Sequence, residues 1–170
     1  MRVSLVLTVI GEDRPGIVEH LSQIVAGSEG NWEESRMSRL AGKFAGILQI
    51  SVDKSRADQL AQALAALEQK GLRVVVEKSD VEENTQYNAL SLELVGNDHP
   101  GIVRDIAHAL AMRGVNIEEL ETEVSSAPMS GGELFRARAQ LRTPAGVGSA
   151  ELRAVLEGLA DDLMVDISLK

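Results

Sequence analysis

Cysteine is absent from the chain. That removes disulfides, thiolate catalysis and cysteine-based zinc sites together, and it suits a reducing cytosol. Aromatic residues make up only 2% of the sequence, so a core has to be built from Val, Leu, Ile and Ala. The stacking platforms that hold single-stranded nucleic acid are excluded on the same ground. Basic residues are in the minority, 17 against 26 acidic ones, for a net charge of −9. Neutralising phosphates requires a dense basic face, and no Lys/Arg cluster supplies one, so direct nucleic-acid binding is not expected. Long apolar runs are also missing. The opening stretch Met1-Arg2-Val3-Ser4-Leu5-Val6-Leu7 lacks the cleavage region of a signal peptide, and Glu12, Asp13 and Arg14 break its apolar run. Nothing approaches a membrane span, and the expectation is a soluble cytoplasmic protein.

The three histidines, His20, His99 and His108, have no compact ligand spacing, so no metal site is expected. No Ser-His-Asp, Cys-His or phosphate-loop constellation is visible. Neither catalytic residues nor a cofactor are assigned.

What the chain does have is 44% apolar residues and an internal repeat. Gly11-Glu12-Asp13-Arg14-Pro15-Gly16-Ile17-Val18 returns as Gly96-Asn97-Asp98-His99-Pro100-Gly101-Ile102-Val103, with six of eight positions identical. In the same register Asn31 meets Asn116 and Glu34 meets Glu119. After an insertion around 125–132, Phe44 meets Phe135 and Gln49 meets Gln140.

Each copy carries the same pattern. Leu5, Leu7 and Val9 alternate as a strand does, and so do Leu90, Leu92 and Leu94. Helical faces follow at Ile17, Val18, Leu21, Ile24 and Val25, and at Ile102, Val103, Ile106 and Leu110, with Gly27 and Gly114 at their ends. A second strand begins near Asn31 or Asn116, and a third contains Leu48, Ile50 and Val52, or Ala137, Ala139 and Leu141. The second helices carry Leu60, Leu64 and Leu67, and Leu152, Leu156 and Leu159. Final strands are expected at 72–78 and 163–169. The order β-α-β-β-α-β is the split-βαβ, ferredoxin-like motif. The expected fold is α+β: two ferredoxin-like βαββαβ modules, with antiparallel sheets and helices on one face. The first module is placed at 1–79, a linker at 80–86 and the second module at 87–170. The bare face of each sheet then needs a cover, by side-by-side or face-to-face docking.

Two readings of the repeated Asp-x-Pro-Gly stand together. Structurally, Asp13 and Asp98 would cap helix N–H groups, and Pro suits a first turn. Functionally, a helix N-terminus offers free N–H groups and positive partial charge to a carboxylate. Gly16 or Gly101 would let a ligand come close to the backbone. Asp13 or Asp98 would accept from an ammonium group, and Asn31 or Asn116 adds both donor and acceptor. Such a set could hold a small zwitterion. Among the other features, Glu118, Glu119, Glu121 and Glu123 read as an edge strand defended by charge. Trp32 reads as core filler or interface, His99 as a solvated loop residue, and 125–132 as a hairpin loop.

With Asn97-Asp98-His99-Pro100-Gly101-Ile102-Val103 and Gly114-Val115-Asn116-Ile117, the sequence resembles the ACT-domain family across nearly its whole length, twice. Among two-ACT proteins it looks most like the glycine cleavage system transcriptional repressor family. The resemblance implies a non-enzymatic regulator that senses a small amino acid, with glycine foremost. It would act through contact with a DNA-binding transcriptional regulator, without touching DNA or membrane itself, and it admits a homo-oligomer. Carried over by position, the ligand-binding places are Asp13, Gly16, Ile17, Val18 and Asn31, with Asp98, Gly101, Ile102, Val103 and Asn116. This chain has Gly11 and Gly96 where many amino-acid-binding members have a polar residue such as His, and Asp13 and Asp98 where they often have Asn. The alternatives are a ligand-free assembly module, or a regulatory relative of the ACT-containing formyltetrahydrofolate deformylases.

Overall fold

A computed structural model describes residues 1–79, 86–129 and 131–170. Apart from Gln86, the expected linker at 80–86 lies outside the described residues, as does Ser130 in the 125–132 loop. The chain folds as two compact units, Met1–Glu83 and Asn84–Lys170.

The first unit runs β1 (Arg2–Glu12), α1 (Ile17–Gly27), β2 (Asn31–Leu40), β3 (Lys43–Asp53), α2 (Ala57–Ala65) and β4 (Leu72–Lys78), with a 3-10 turn at Ala66–Lys70 extending α2. The second runs β5 (Tyr87–Asn97), α3 (Ile102–Ala111), β6 (Asn116–Ser126), β7 (Glu133–Pro144), α4 (Ser149–Leu163) and β8 (Val165–Leu169). Strand orders are β2-β3-β1-β4 and β6-β7-β5-β8, every pairing antiparallel. This is the expected ferredoxin-like α+β arrangement, made twice.

Alternation along each strand explains the layering. Leu5, Leu7 and Val9 of β1 and Leu48, Ile50 and Val52 of β3 point inward, where Leu21 and Val25 of α1 and Leu60 and Leu64 of α2 meet them. Leu92, Leu94, Ala139, Leu141, Ile106, Leu110, Leu152 and Leu156 repeat the arrangement in the second unit. Each fully buried Leu contributes about 1.5–3 kcal/mol, which is how a core nearly without aromatics suffices.

Two expectations change, and the glycines expected at the helix ends are found there. Val18 and Val103 are not on the buried stripe but 48% and 42% exposed. The buried stripe is Ile17, Leu21 and Val25, one turn apart, and the next residue lies about 100° round the helix. Leu163 closes α4 instead of opening the last strand, because Met164 turns the chain in the left-handed region at φ 53. Gly27 is the last residue of α1, and the left-handed turn after it falls on Glu29 at φ 54, where the second unit has Gly114 at φ 68.

The expected edge strand holds: β6 lies at the margin of its sheet. Its register shifts between Ile117 and Glu119, as that of β2 does between Trp32 and Glu34. The extra residue of each bulge resets which side chains face outward. Trp32 packs partly buried against the first core, its Nε1 donating to Ser35 Oγ at 3.2 Å.

Candidate functional site

Each candidate site is the short loop between a first strand and its helix. Cross-strand pairing ends at Glu12↔Lys43 and at Asn97↔Leu134, and the loop is then pinned by one backbone bond. Asp13 N–H donates to Gly42 O, and Asp98 N–H to Glu133 O, both at 2.9 Å.

The two aspartates do not cap the helices. The N-cap residues are Gly16 at φ 91 and Gly101 at φ 97, without a side-chain cap. Only glycine takes that left-handed conformation freely, so both helices start bare. Ile17 and Ile102 are buried in the cores and can offer a ligand only their N–H groups. Val18 and Val103 present their side chains to solvent beside those N–H groups.

Position 14 and its counterpart 99 do similar work with different chemistry. The Arg14 guanidinium donates to Lys70 O, and His99 Nε2 lies 3.1 Å from Leu163 O. Both acceptors are last residues before a left-handed turn, at Gly71 and Met164. A cation is favoured at such a helix C-terminus. His99 is therefore a strap from the site loop to α4, not the solvated loop residue expected. Its Nδ1 also lies 3.1 Å from Pro100 O, and only the imidazolium can donate to both carbonyls. These bonds, Pro100 first and then Leu163, raise its pKa above 6.5, with Asp98 and Asp105 adding attraction. His20 and His108 are exposed on their helices, and His20 Nδ1 lies 2.7 Å from Gly16 O.

The aspartates themselves differ. Asp13 Oδ2 is 2.7 Å from Arg39 Nε. The repeat puts Val124 where Arg39 stands, and among the described residues Asp98 has no ion pair. Arg39 was missed from sequence because its partner is distant along the chain. The tight Ala41-Gly42 turn was the available clue, since folding β3 back on β1 brings the end of β2 to Asp13.

Asn31 and Asn116 begin their strands as expected but lie at the far end of the sheet. Asn31 pairs with Ser51, which pairs with Ser4, while Asp13 follows Glu12. At about 3.3 Å per residue along β1, loop and asparagine are roughly 30 Å apart. The second unit repeats this through Asn116↔Arg142 and Ala89↔Arg142. Within one module no small ligand touches both.

Gly11 and Gly96 have a packing reason. A Cβ on Gly11 would sit 2.6 Å from Gly71 O, and one on Gly96 would collide with Val165. A larger side chain has no room at either position. Among the described residues no cluster of His, Asp and Glu could hold a metal, and no helix is long and apolar enough to cross a membrane.

Fold and loops together define a duplicated ferredoxin-like protein with a glycine-capped helix start in each half. The family model of the ACT domain matches residues 4–77. A UPF0237 protein of Methanopyrus kandleri is 40% identical over 81 residues, 45% of this chain and 88% of that one. A solved structure, an unknown protein from Galdieria sulphuraria, is 32% identical, covers 100% of this chain and 98% of its own, and has a TM-score of 0.85. Another, named "putative glycine cleavage system transcriptional repressor", is 21% identical over 100% of this chain and 97% of its own, at a TM-score of 0.72, and so shares the fold. The chain belongs to the ACT-domain family, as a tandem member.

Proposed function

We propose that this chain is a non-enzymatic regulatory ACT protein that binds a small amino acid, glycine foremost, at the glycine-capped helix starts. In this reading it passes the signal to a protein partner, a DNA-binding transcriptional regulator. The observation that carries the reading is the pair of helix N-termini left without side-chain caps, at Gly16 and Gly101. An α-carboxylate fits the N–H groups of Ile17 and Val18, or of Ile102 and Val103, where the helix dipole favours negative charge. Asp98, which makes no ion pair among the described residues, suits the α-ammonium group. Asp13 is already paired with Arg39, so the second module is the more receptive copy. Glycine is suggested by the name of the repressor-like neighbour, and the regulator as partner by the family resemblance alone. Asn31 and Asn116 would have to act on a ligand held by a loop outside their own module. The ligand changes a partner's affinity only if it favours one conformation over another.

Isothermal titration tests the binding. Glycine is expected to bind at millimolar concentration or below, with Asp98→Ala weakening it more than Asp13→Ala. Equal weak effects of the two variants, or no heat with any amino acid, would overturn the reading.

A further inference from the structure

We infer that the outer edge of β6 takes up an extended segment of a partner protein in which basic and aliphatic residues alternate. β6 is a marginal strand of the second sheet, and of its residues Asn116–Ser126 all but Ile117 are exposed. Its pairing with β7 runs unbroken from Glu119↔Gln140 to Ser126↔Glu133. Along that run every second residue turns its N–H and C=O away from β7. Among the described residues no strand receives them. An open edge of this kind is a template for one more strand.

Register sorts the side chains of β6 onto two sides. Glu119, Glu121 and Glu123 lie level with Gln140, Arg138 and Arg136, on the helix-free side. Leu120 and Val124 lie level with the buried Ala139 and Phe135, on the side of α3. They are nonetheless 50% and 51% exposed. Leu120 and the exposed Val103 also line a narrow apolar cleft with Phe135, Ala137 and Ala139. Glutamates on a margin guard against aggregation, but that purpose does not call for an open Leu and Val behind them. Exposed apolar groups rimmed by polar ones mark interaction surfaces. The first module has no counterpart: where Leu120 and Val124 stand, β2 has Ser35 and Arg39.

Charge decides what the edge accepts. Pairing with β6 of a second copy, apolar rows on one side, brings the two glutamate rows together, and like charges facing each other are destabilising. β2 of a second copy offers that row Arg36 alone, which already lies 3.1 Å from Glu34. A segment with Lys or Arg at every second place instead sets cations beside Glu119, Glu121 and Glu123. Its intervening aliphatic side chains then fall over Leu120, Val124 and the flank of α3. β7 has this same alternation on the inner side of β6. There Arg136 and Arg138 lie level with Glu123 and Glu121, and Phe135, Ala137 and Ala139 point inward. Strand addition at this edge does not depend on amino-acid binding at the helix starts.

Fluorescence anisotropy with the full chain tests this. The probe is the fluorescein-labelled peptide Arg-Val-Arg-Val-Arg-Val-Arg, and its isomer Arg-Arg-Arg-Arg-Val-Val-Val is the control. The alternating peptide should bind with a Kd of about 100 μM or below, and the isomer about tenfold more weakly or worse. Glu121→Lys and Glu123→Lys, each checked for folding by circular dichroism, should weaken binding about tenfold, because like charges then meet. Leu120→Ser should weaken it as well. Glu34→Lys, the same change of charge on β2, should leave it unaltered. Methylating the backbone nitrogens of the valines or of the arginines should abolish binding in one case and spare it in the other, since one edge of the added strand faces β6. Equal binding of the two isomers, indifference to Glu121→Lys and Glu123→Lys, or no binding at about 1 mM would overturn the inference. So would a wild type whose self-association is abolished by Leu120→Ser, which would give the edge to a second copy.

Discussion

The loop that starts each first helix is strapped to the end of the second helix by one side chain, Arg14 in the first module and His99 in the second. Arginine keeps its charge at every accessible pH, whereas the histidine does not. Because His99 has its folded pKa raised, its contribution is complete below the unfolded value of about 6.5 and is lost as pH rises through the folded value. The thermal midpoint of the wild type should therefore fall relative to His99→Gln as pH is taken from 6 to 8. Parallel curves would contradict the strap. A second residue-scale expectation concerns the close approach at Gly96. Gly96→His should cost about 1–3 kcal/mol through overpacking against Val165, read as a lower denaturation midpoint. The sequence named the loop and its glycines through repetition alone. Beyond the clue of the Ala41-Gly42 turn it did not show Arg39 on Asp13 or His99 on Leu163, because those contacts depend on a register that residue spacing does not encode.

Strands, helix stripes and second helices were legible because the aliphatic residues keep strict periods of two and three to four. The boundary that moved, at Leu163, did so at a left-handed residue with a side chain, Met164, which carries no turn signature in its letter. Another such residue offers a test. Ala41 and Gly42 form a two-residue hairpin with φ 49 and φ 80, the pairing for which Asn-Gly is strongly preferred. Ala41→Asn should stabilise the first module by about 0.5–1 kcal/mol, since Asn tolerates this conformation better than Ala. Unchanged chemical denaturation would argue against strain in that turn. The asparagines that open β2 and β6 show the limit of position as a guide. Both were correctly placed at strand starts, yet helix α1 carries the chain the length of the sheet before β2 begins, so Asn31 ends far from Asp13.

At the scale of the molecule, duplication was readable from eight residues and their echo, and the fold followed from element order. Divergence between the copies was only partly readable. Glu29 in place of Gly114 was visible in the repeat, while the ion pair of Asp13 in one copy alone needed the strand pairing. The central claim is that the bare helix starts receive a small amino acid. A ¹⁵N-labelled sample titrated with glycine tests it most directly. The account predicts saturable shifts of the Gly101, Ile102 and Val103 amides, half complete at about 1 mM or below, a binding free energy of roughly −4 kcal/mol or stronger. Those amides staying still while glycine rises to about 10 mM, well past that range, would contradict it.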